Sequence, residues 1–188
     1  MQLKDAIETR KSVRRFDLKK PDWRKIIRAL DSVRFAPSAG NQFVTKFILV
    51  SDEKKIEKLT AASQQEFVGK AKYIVVAVSD DSSLIRDYDK RGVRFCAQQA
   101  GAAIENFLLA LTEQKLVTTW VGYFYNEQVR RVLDVPEGFH VEALFPIGKE
   151  PKVKAKEKKK RKLESILYFD KWGNKKMTSE INIGLKSV

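Results

Sequence analysis

The densest chemistry in the chain lies in seven consecutive residues, Arg10-Lys11-Ser12-Val13-Arg14-Arg15-Phe16, which hold four cations and one hydroxyl. Side chains of an extended segment alternate in direction, so Arg10, Ser12 and Arg14 point to one side. Two guanidinium forks then flank a hydroxyl. A guanidinium binds phosphate oxygens bidentately, and a hydroxyl donates one bond more. In a fully extended chain Arg10 and Arg14 stand roughly 13 Å apart. Val13 and Phe16 anchor the strip to a core. The competing reading is a solvated basic surface, the usual fate of a charge run.

Little else in the chain carries chemistry. One cysteine, Cys96, rules out an intramolecular disulfide, and one histidine, His140, rules out a two-histidine metal site within one chain. Cys96 falls on the apolar face of a long helix and reads as core. His140 follows a turn and reads as surface or structural. Asp80, Asp81, Asp87 and Asp89 lack the glycine and terminal glutamate of a calcium loop. Difficult chemistry would therefore belong to a cofactor.

The elements that position the strip follow from periodicity. Residues 3–9 place Leu3, Ala6 and Ile7 at helical spacing. Residues 21–34 read as a helix, with Trp23, Ile26, Ile27 and Leu30 at i, i+3, i+4 and i+7, ended by the loop Pro37-Ser38-Ala39-Gly40-Asn41. Buried strands are expected at 46–50 and 73–78, with a helix between them capped by Ser51 or Asp52. Residues 80–92 read as a polar loop with a short helix. The longest helix, 93–116, turns Val93, Cys96, Ala97, Ala100, Ala103 and Ile104 inward and continues through Phe107, Leu108 and Leu111. Phe95 and Leu109 are apolar on its other sides, which a second subunit or burial within the monomer would each explain. A third strand is expected at 118–124, a helix capped by Asn126 at 126–133, and a fourth strand at 141–147. Without regular βαβ alternation or internal repeats, this is an α+β sheet with helices.

The chain has 188 residues and a net charge of +13. Residues 149–162 alone hold nine Lys/Arg against two Glu, about half of the excess. An anionic partner is sought there first. The longest apolar-rich stretch is interrupted by charged and amide residues and is not a membrane span. No charged-then-apolar leader opens the chain, which points to the cytoplasm.

Four features in this order, the 10–16 strip, the 37–41 loop, Trp120-Val121-Gly122-Tyr123-Phe124 and a basic run before Leu163-Glu164, resemble the FMN-dependent nitroreductase family. The resemblance covers about residues 3–172. It implies a central, mostly antiparallel sheet flanked by helices, with a C-terminal segment extending over the partner subunit of a homodimer. Residues 1–172 would form one FMN-binding domain, including the phosphate-side segment 149–162, and 173–188 would be a tail. Arg10 and Ser12 would meet the FMN phosphate, and Lys11 between them would also belong to the cofactor site. Arg14 would reach the ribityl chain or the ring, where a cation stabilises negative charge. Pro37, Ser38, Ala39 and Asn41 match a loop that reaches the flavin from the other subunit. That loop departs from the family pattern: Phe43, Val44 and Thr45 stand where Gln-Pro-Trp is usual, with Gln42 one residue away. Gln65, or its neighbour Gln64, would bond the pyrimidine edge. Val121 and Gly122 would lie along the ring, Gly122 permitting close approach. One of Lys158, Lys160 and Arg161 would return to the phosphate.

The implied activity is hydride transfer from NAD(P)H through FMN to a nitroaromatic, quinone or flavin-type acceptor, in ping-pong fashion. No side chain need act as acid or base. No glycine-rich dinucleotide fingerprint follows a strand, so NAD(P)H would bind transiently over the flavin. Two rivals stand beside this. The charge suits a nucleic-acid binder, although no recognised nucleic-acid motif is present and no specific nucleic-acid partner is expected. The other rival is a flavin-binding relative with a different reaction.

Overall fold

The computed structural model describes residues 1–151 and 161–177. Lys158 and Lys160 lie outside the described residues. The chain divides into two compact units, Met1–Ala155 and Lys156–Val188. Arg161 belongs to the second. Within that second unit, Lys175 lies 3.8 Å over the Tyr168 ring, whose centre is 4.6 Å from that of Trp172.

The first unit is α+β. In chain order it runs α1 (Leu3–Thr9), α2 (Trp23–Asp31), β1 (Thr45–Val50), α3 (Glu53–Ser63), β2 (Tyr73–Asp80), α4 (Ser82–Tyr88), α5 (Arg91–Glu113), α6 (Asn126–Leu133) and β3 (Phe139–Ile147). Asp22 caps α2 by accepting from Arg24 N–H, and Asp52 caps α3 by accepting from Lys55 N–H. The sheet order is β1-β2-β3, antiparallel throughout. The central strand β2 is a continuous apolar run because both its faces are covered. Tyr73, Val75 and Ala77 join Ala143 and Phe145 against α2 and α5. Ile74, Val76 and Val78 join Leu144 against α3 and α6. Phe107 of α5 and Phe145 of β3 meet edge-on at 5.8 Å in the first layer, both fully buried.

The expected strand at 118–124 is replaced by isolated bridges. Val121 and Leu144 exchange both backbone hydrogen bonds at 3.0 Å, and Val117 and Gly148 exchange theirs at 3.0 and 3.1 Å. The same register sets Thr119 opposite Pro146, which has no N–H to give. The ladder breaks there, and Thr118 Oγ1 donates to the Pro146 carbonyl at 2.8 Å instead.

Two helical expectations also change. Val93 is 51% exposed and Ala97 is exposed, while Gln99 is buried. Gly92 takes the inward place at the start of α5, where a Cβ would lie 2.3 Å from the Leu84 backbone. The close approach of α4 at Gly92 turns Val93 outward. Asn126 does not cap α6. Its side-chain oxygen accepts from Val141 N–H at 3.2 Å and ties the helix to β3.

The β2–β3 register shifts between Ala77 and Val78, leaving Glu142 as the extra residue of a bulge. Burial pushes the Glu142 carboxyl above the usual carboxylate range, opposed by the Ser79 hydroxyl and His140 and reinforced by Asp81. A carboxyl whose pKa is higher folded than unfolded stabilises the fold at low pH and loses that contribution as pH rises through the folded value. Glu142→Gln imitates the neutral form. Denaturant titrations should therefore show the variant more stable than the wild type near neutral pH. The gap should narrow as pH falls towards 4, and a gap independent of pH would refute this account.

Candidate functional site

The strip forms the outer edge of the sheet system. Arg10 ends α1, its N–H donating to the Ala6 carbonyl at 2.9 Å. Val13 is buried; its N–H donates to the Thr118 carbonyl at 2.9 Å, and its carbonyl accepts from Thr119 Oγ1 at 2.7 Å. Ser12 bridges Thr118 in parallel. Ser12 and Arg14 are exposed on either side of buried Val13, the alternation expected of an extended segment.

Three of the strip's four cations are held in different ways. Arg10 Nε is 3.5 Å from Glu105 of α5. Lys11 Nζ is 2.5 Å from Glu150. The Arg14 guanidinium lies over the Phe67 ring, 5.4 Å from its centre. Glu105, Glu150 and Phe67 do not stand out in the sequence as site residues. The aromatic two residues beyond Gln65 is the one available signal; pairing with Glu105 depends on how α1 docks on α5.

Gln65 joins this group. Its amide nitrogen donates to the Ser63 and Tyr123 carbonyls, each at 3.3 Å, so its carbonyl oxygen remains free to accept. Tyr125 N–H donates to the Ala62 carbonyl at 2.9 Å, a second tie between the end of α3 and the 121–125 segment. Gln64 instead closes α3 in a left-handed conformation, φ 54°, exposed. Val121 is buried and paired with β3. Gly122 is exposed, and a Cβ there would meet nothing nearer than Trp120 Nε1 at 3.9 Å. The chain's own packing does not demand a glycine at that position.

A closed circuit results: Val13 to Thr118 and Thr119, along the chain to Gly122 and Tyr123, across to Gln65, and from Phe67 back to Arg14. The 37–41 loop makes its contacts elsewhere. Gly40 has φ +56°, and a Cβ on it would lie 2.6 Å from the Tyr88 hydroxyl oxygen. Asn41 is also left-handed, φ 58°, and exposed. Gln42 donates to Asp87 at 2.5 Å. Buried Gln99, with its amide oriented to match the groups around it, donates to the Gln42 carbonyl at 3.0 Å and accepts from Val44 N–H at 3.2 Å. Pro37 and Asn41 are thus exposed at the end of a loop anchored on α4 and α5, with Ser38 and Ala39 half-buried in it.

Cys96 is buried, and burial pushes its thiol up to about 11, so it is protonated and inert at neutral pH. His140 is exposed, 3.6 Å from Asp81. Among the described residues no His/Cys/Asp/Glu group could hold a metal ion. None of their helices is long and apolar enough to cross a membrane.

The family described as the Nitroreductase family matches residues 7–68 and 60–149 of this sequence. The chain belongs to the nitroreductase family and is an oxidoreductase of that family. A protein of Methanothermobacter thermautotrophicus, provisionally named NADH dehydrogenase/NAD(P)H nitroreductase, is 27% identical over 152 residues, 79% of this chain and 77% of that protein. The crystal structure of a nitroreductase family protein from Clostridium novyi NT matches with a TM-score of 0.75 at 26% identity, covering 96% of this chain and all of that one. The fold is shared with an iodotyrosine deiodinase crystallised with FMN and 3-iodo-L-tyrosine, at a TM-score of 0.74 and 21% identity, covering 86% of this chain and 97% of that one.

The Thr119 hydroxyl should matter more than a surface group. Thr119→Val leaves the buried Val13 carbonyl without its donor, at a cost of about 1–3 kcal/mol. Thermal melts should register the loss, and trypsin should cut after Arg14 and Arg15 faster than in the wild type. Unchanged stability and unchanged cleavage would mean that this bond does not hold the strip.

Proposed function

We propose that the chain is an FMN-dependent oxidoreductase of the cytoplasm, acting as a homodimer. It would pass a hydride from NAD(P)H to a nitroaromatic, quinone or flavin-type acceptor by a ping-pong mechanism. The observation that carries this reading is the contact circuit joining the 10–14 strip, Gln65 and Gly122 in a chain of this family. The FMN bound by the iodotyrosine deiodinase of the same fold supports the choice of cofactor.

The donor set suits the group. A phosphate dianion calls for a cation and a hydroxyl, which Arg10 and Ser12 supply, with Lys11 between them in the chain. The edge of an isoalloxazine ring carries donors and acceptors. The free carbonyl oxygen of Gln65 can accept from a ring N–H, and Arg14 can donate where negative charge gathers. Val121 holds the neighbouring backbone in the core, and Gly122 lets a flat ring approach it. Bound FMN would supply the two-electron chemistry, taking hydride from the nicotinamide and giving electrons to the acceptor in a second step. No residue of the chain is assigned a proton in the reaction.

The second subunit would bring Pro37, Ser38, Ala39 and Asn41. Apolar side chains are available for pairing: Leu3 and Ile7 of α1, Trp23 and Ile27 of α2 and Val93 of α5 are each exposed in the single chain.

Protein purified under native conditions should be yellow and release close to one FMN per chain on denaturation. Sedimentation should give about twice 21.6 kDa. A colourless protein that takes up no added FMN would end the cofactor assignment, and a monomer that retains FMN would end the dimer assignment.

Arg10 and Arg14 should separate in effect. Losing a charge-assisted phosphate bond costs roughly 1.5–3 kcal/mol, so Arg10→Ala should weaken FMN binding about 10- to 150-fold. Arg14→Ala should chiefly lower the two-electron potential, with a smaller effect on affinity for oxidised FMN. Equal losses of affinity with no change in potential would show that the two arginines play the same role.

A further inference from the structure

Three of the strip's four cations, Arg10, Lys11 and Arg14, differ in how far their charge is cancelled. Arg10 and Lys11 each face a carboxylate of their own chain, Glu105 and Glu150. Arg14 makes no ion pair among the described residues. Its guanidinium instead lies 5.4 Å from the centre of the Phe67 ring, within reach of the attraction between a cation and an aromatic face. A carboxylate would hold Arg14 and also cancel its field. A ring holds it with its charge intact.

Phe67 is well placed to do this. It sits in the short turn Glu66–Lys70 and packs against the core layer of Ile74, Val76 and Leu144. Val68, next to it, is fully buried. Gln65, two residues earlier, is tied to the Tyr123 carbonyl at 3.3 Å. The platform under Arg14 is therefore fixed to the core on one side and to the 122–123 backbone on the other.

We propose that Phe67 is a positioning residue that holds the Arg14 guanidinium, its charge uncancelled, beside Gln65 and the 122–123 backbone, and so sets the potential of the flavin bound there. The last clause rests on the FMN reading; the placement of Arg14 does not. A held cation favours the electron-rich reduced ring over the oxidised one, so loosening it lowers the potential. Leucine at position 67 keeps an apolar side chain without a π face, and tyrosine keeps the face.

The test has two arms. The first uses the protein without FMN. The Arg14 side-chain Nε–H resonance, identified by its loss in Arg14→Lys, should be displaced by the Phe67 ring current. Phe67→Leu should return it to the position of a free arginine, and Phe67→Tyr should leave it displaced. The second arm measures the flavin potential of the FMN-loaded protein. Arg14→Ala should lower it, Phe67→Leu should lower it by less, and Phe67→Tyr should keep it. The double variant Arg14→Ala/Phe67→Leu should match Arg14→Ala alone. Thermal melts check folding, and Phe67→Met replaces the leucine variant if that one is unfolded. An Arg14 resonance indifferent to Phe67 overturns the placement. A Phe67→Leu shift that persists in the Arg14→Ala background overturns the route through Arg14. Absence of FMN binding in the wild type sinks the FMN reading with the potential claim, and the resonance arm then decides the placement.

Discussion

Two hydrogen bonds on Val13 hold the candidate site together. Its N–H goes to the Thr118 carbonyl and its carbonyl takes the Thr119 hydroxyl. Both threonines are buried, so each hydroxyl must find a partner inside the protein. Thr118 serves the Pro146 carbonyl on one side, and Thr119 serves Val13 on the other. A slip of one residue in the strip would put Ser12 or Arg14 in the buried place of Val13. Burying an unpaired guanidinium is prohibitive. The register of the strip is therefore well determined, although among the described residues it forms a single bridge, Ser12 to Thr118.

Within that frame the charges are graded. A net charge of +13 describes the chain poorly at this edge, where two of the cations already have carboxylate partners. Glu105 is half exposed, so water and salt weaken its hold on Arg10. Glu150, which faces Lys11, is more sheltered than Glu105. A dianionic phosphate arriving at the strip would compete more readily for Arg10 than for Lys11. An ammonium has three donors and can serve phosphate and carboxylate together. Ser12 then contributes direction more than charge.

The outline of the fold is legible from periodicity because the apolar runs are long and uniform. β2 reads as buried on both faces, and α5 shows its inward stripe from Cys96 to Leu111. What is illegible depends on partners distant in sequence. Nothing near Val93 reveals that α4 presses on Gly92 and turns Val93 outward. Pro146 is visible near a strand end, but its effect on residues 117–121 needs the register of two segments. The alternation of Ser12, Val13 and Arg14 follows from local geometry alone. Glu105 and Gln99 are invisible as site neighbours because a helix face shows which residues point inward, not which loop they meet.

Gln99 and Glu105 make α5 the common support of the two candidate segments. Gln99, buried, fixes the backbone of Gln42 and Val44 and hence the loop that carries Pro37 and Asn41. Glu105, six residues on, meets Arg10. At the helical rise these supports lie about 9 Å apart along one rod. They project from different sides, since six residues is far from a whole number of turns. The strip and the loop are thus set by one rigid element yet face different surroundings. A buried glutamine suits the loop, because its amide can both donate and accept and so satisfies two backbone groups that no strand partner reaches. An exposed carboxylate suits the strip, because it can hold a cation in place and still yield it to a stronger anion.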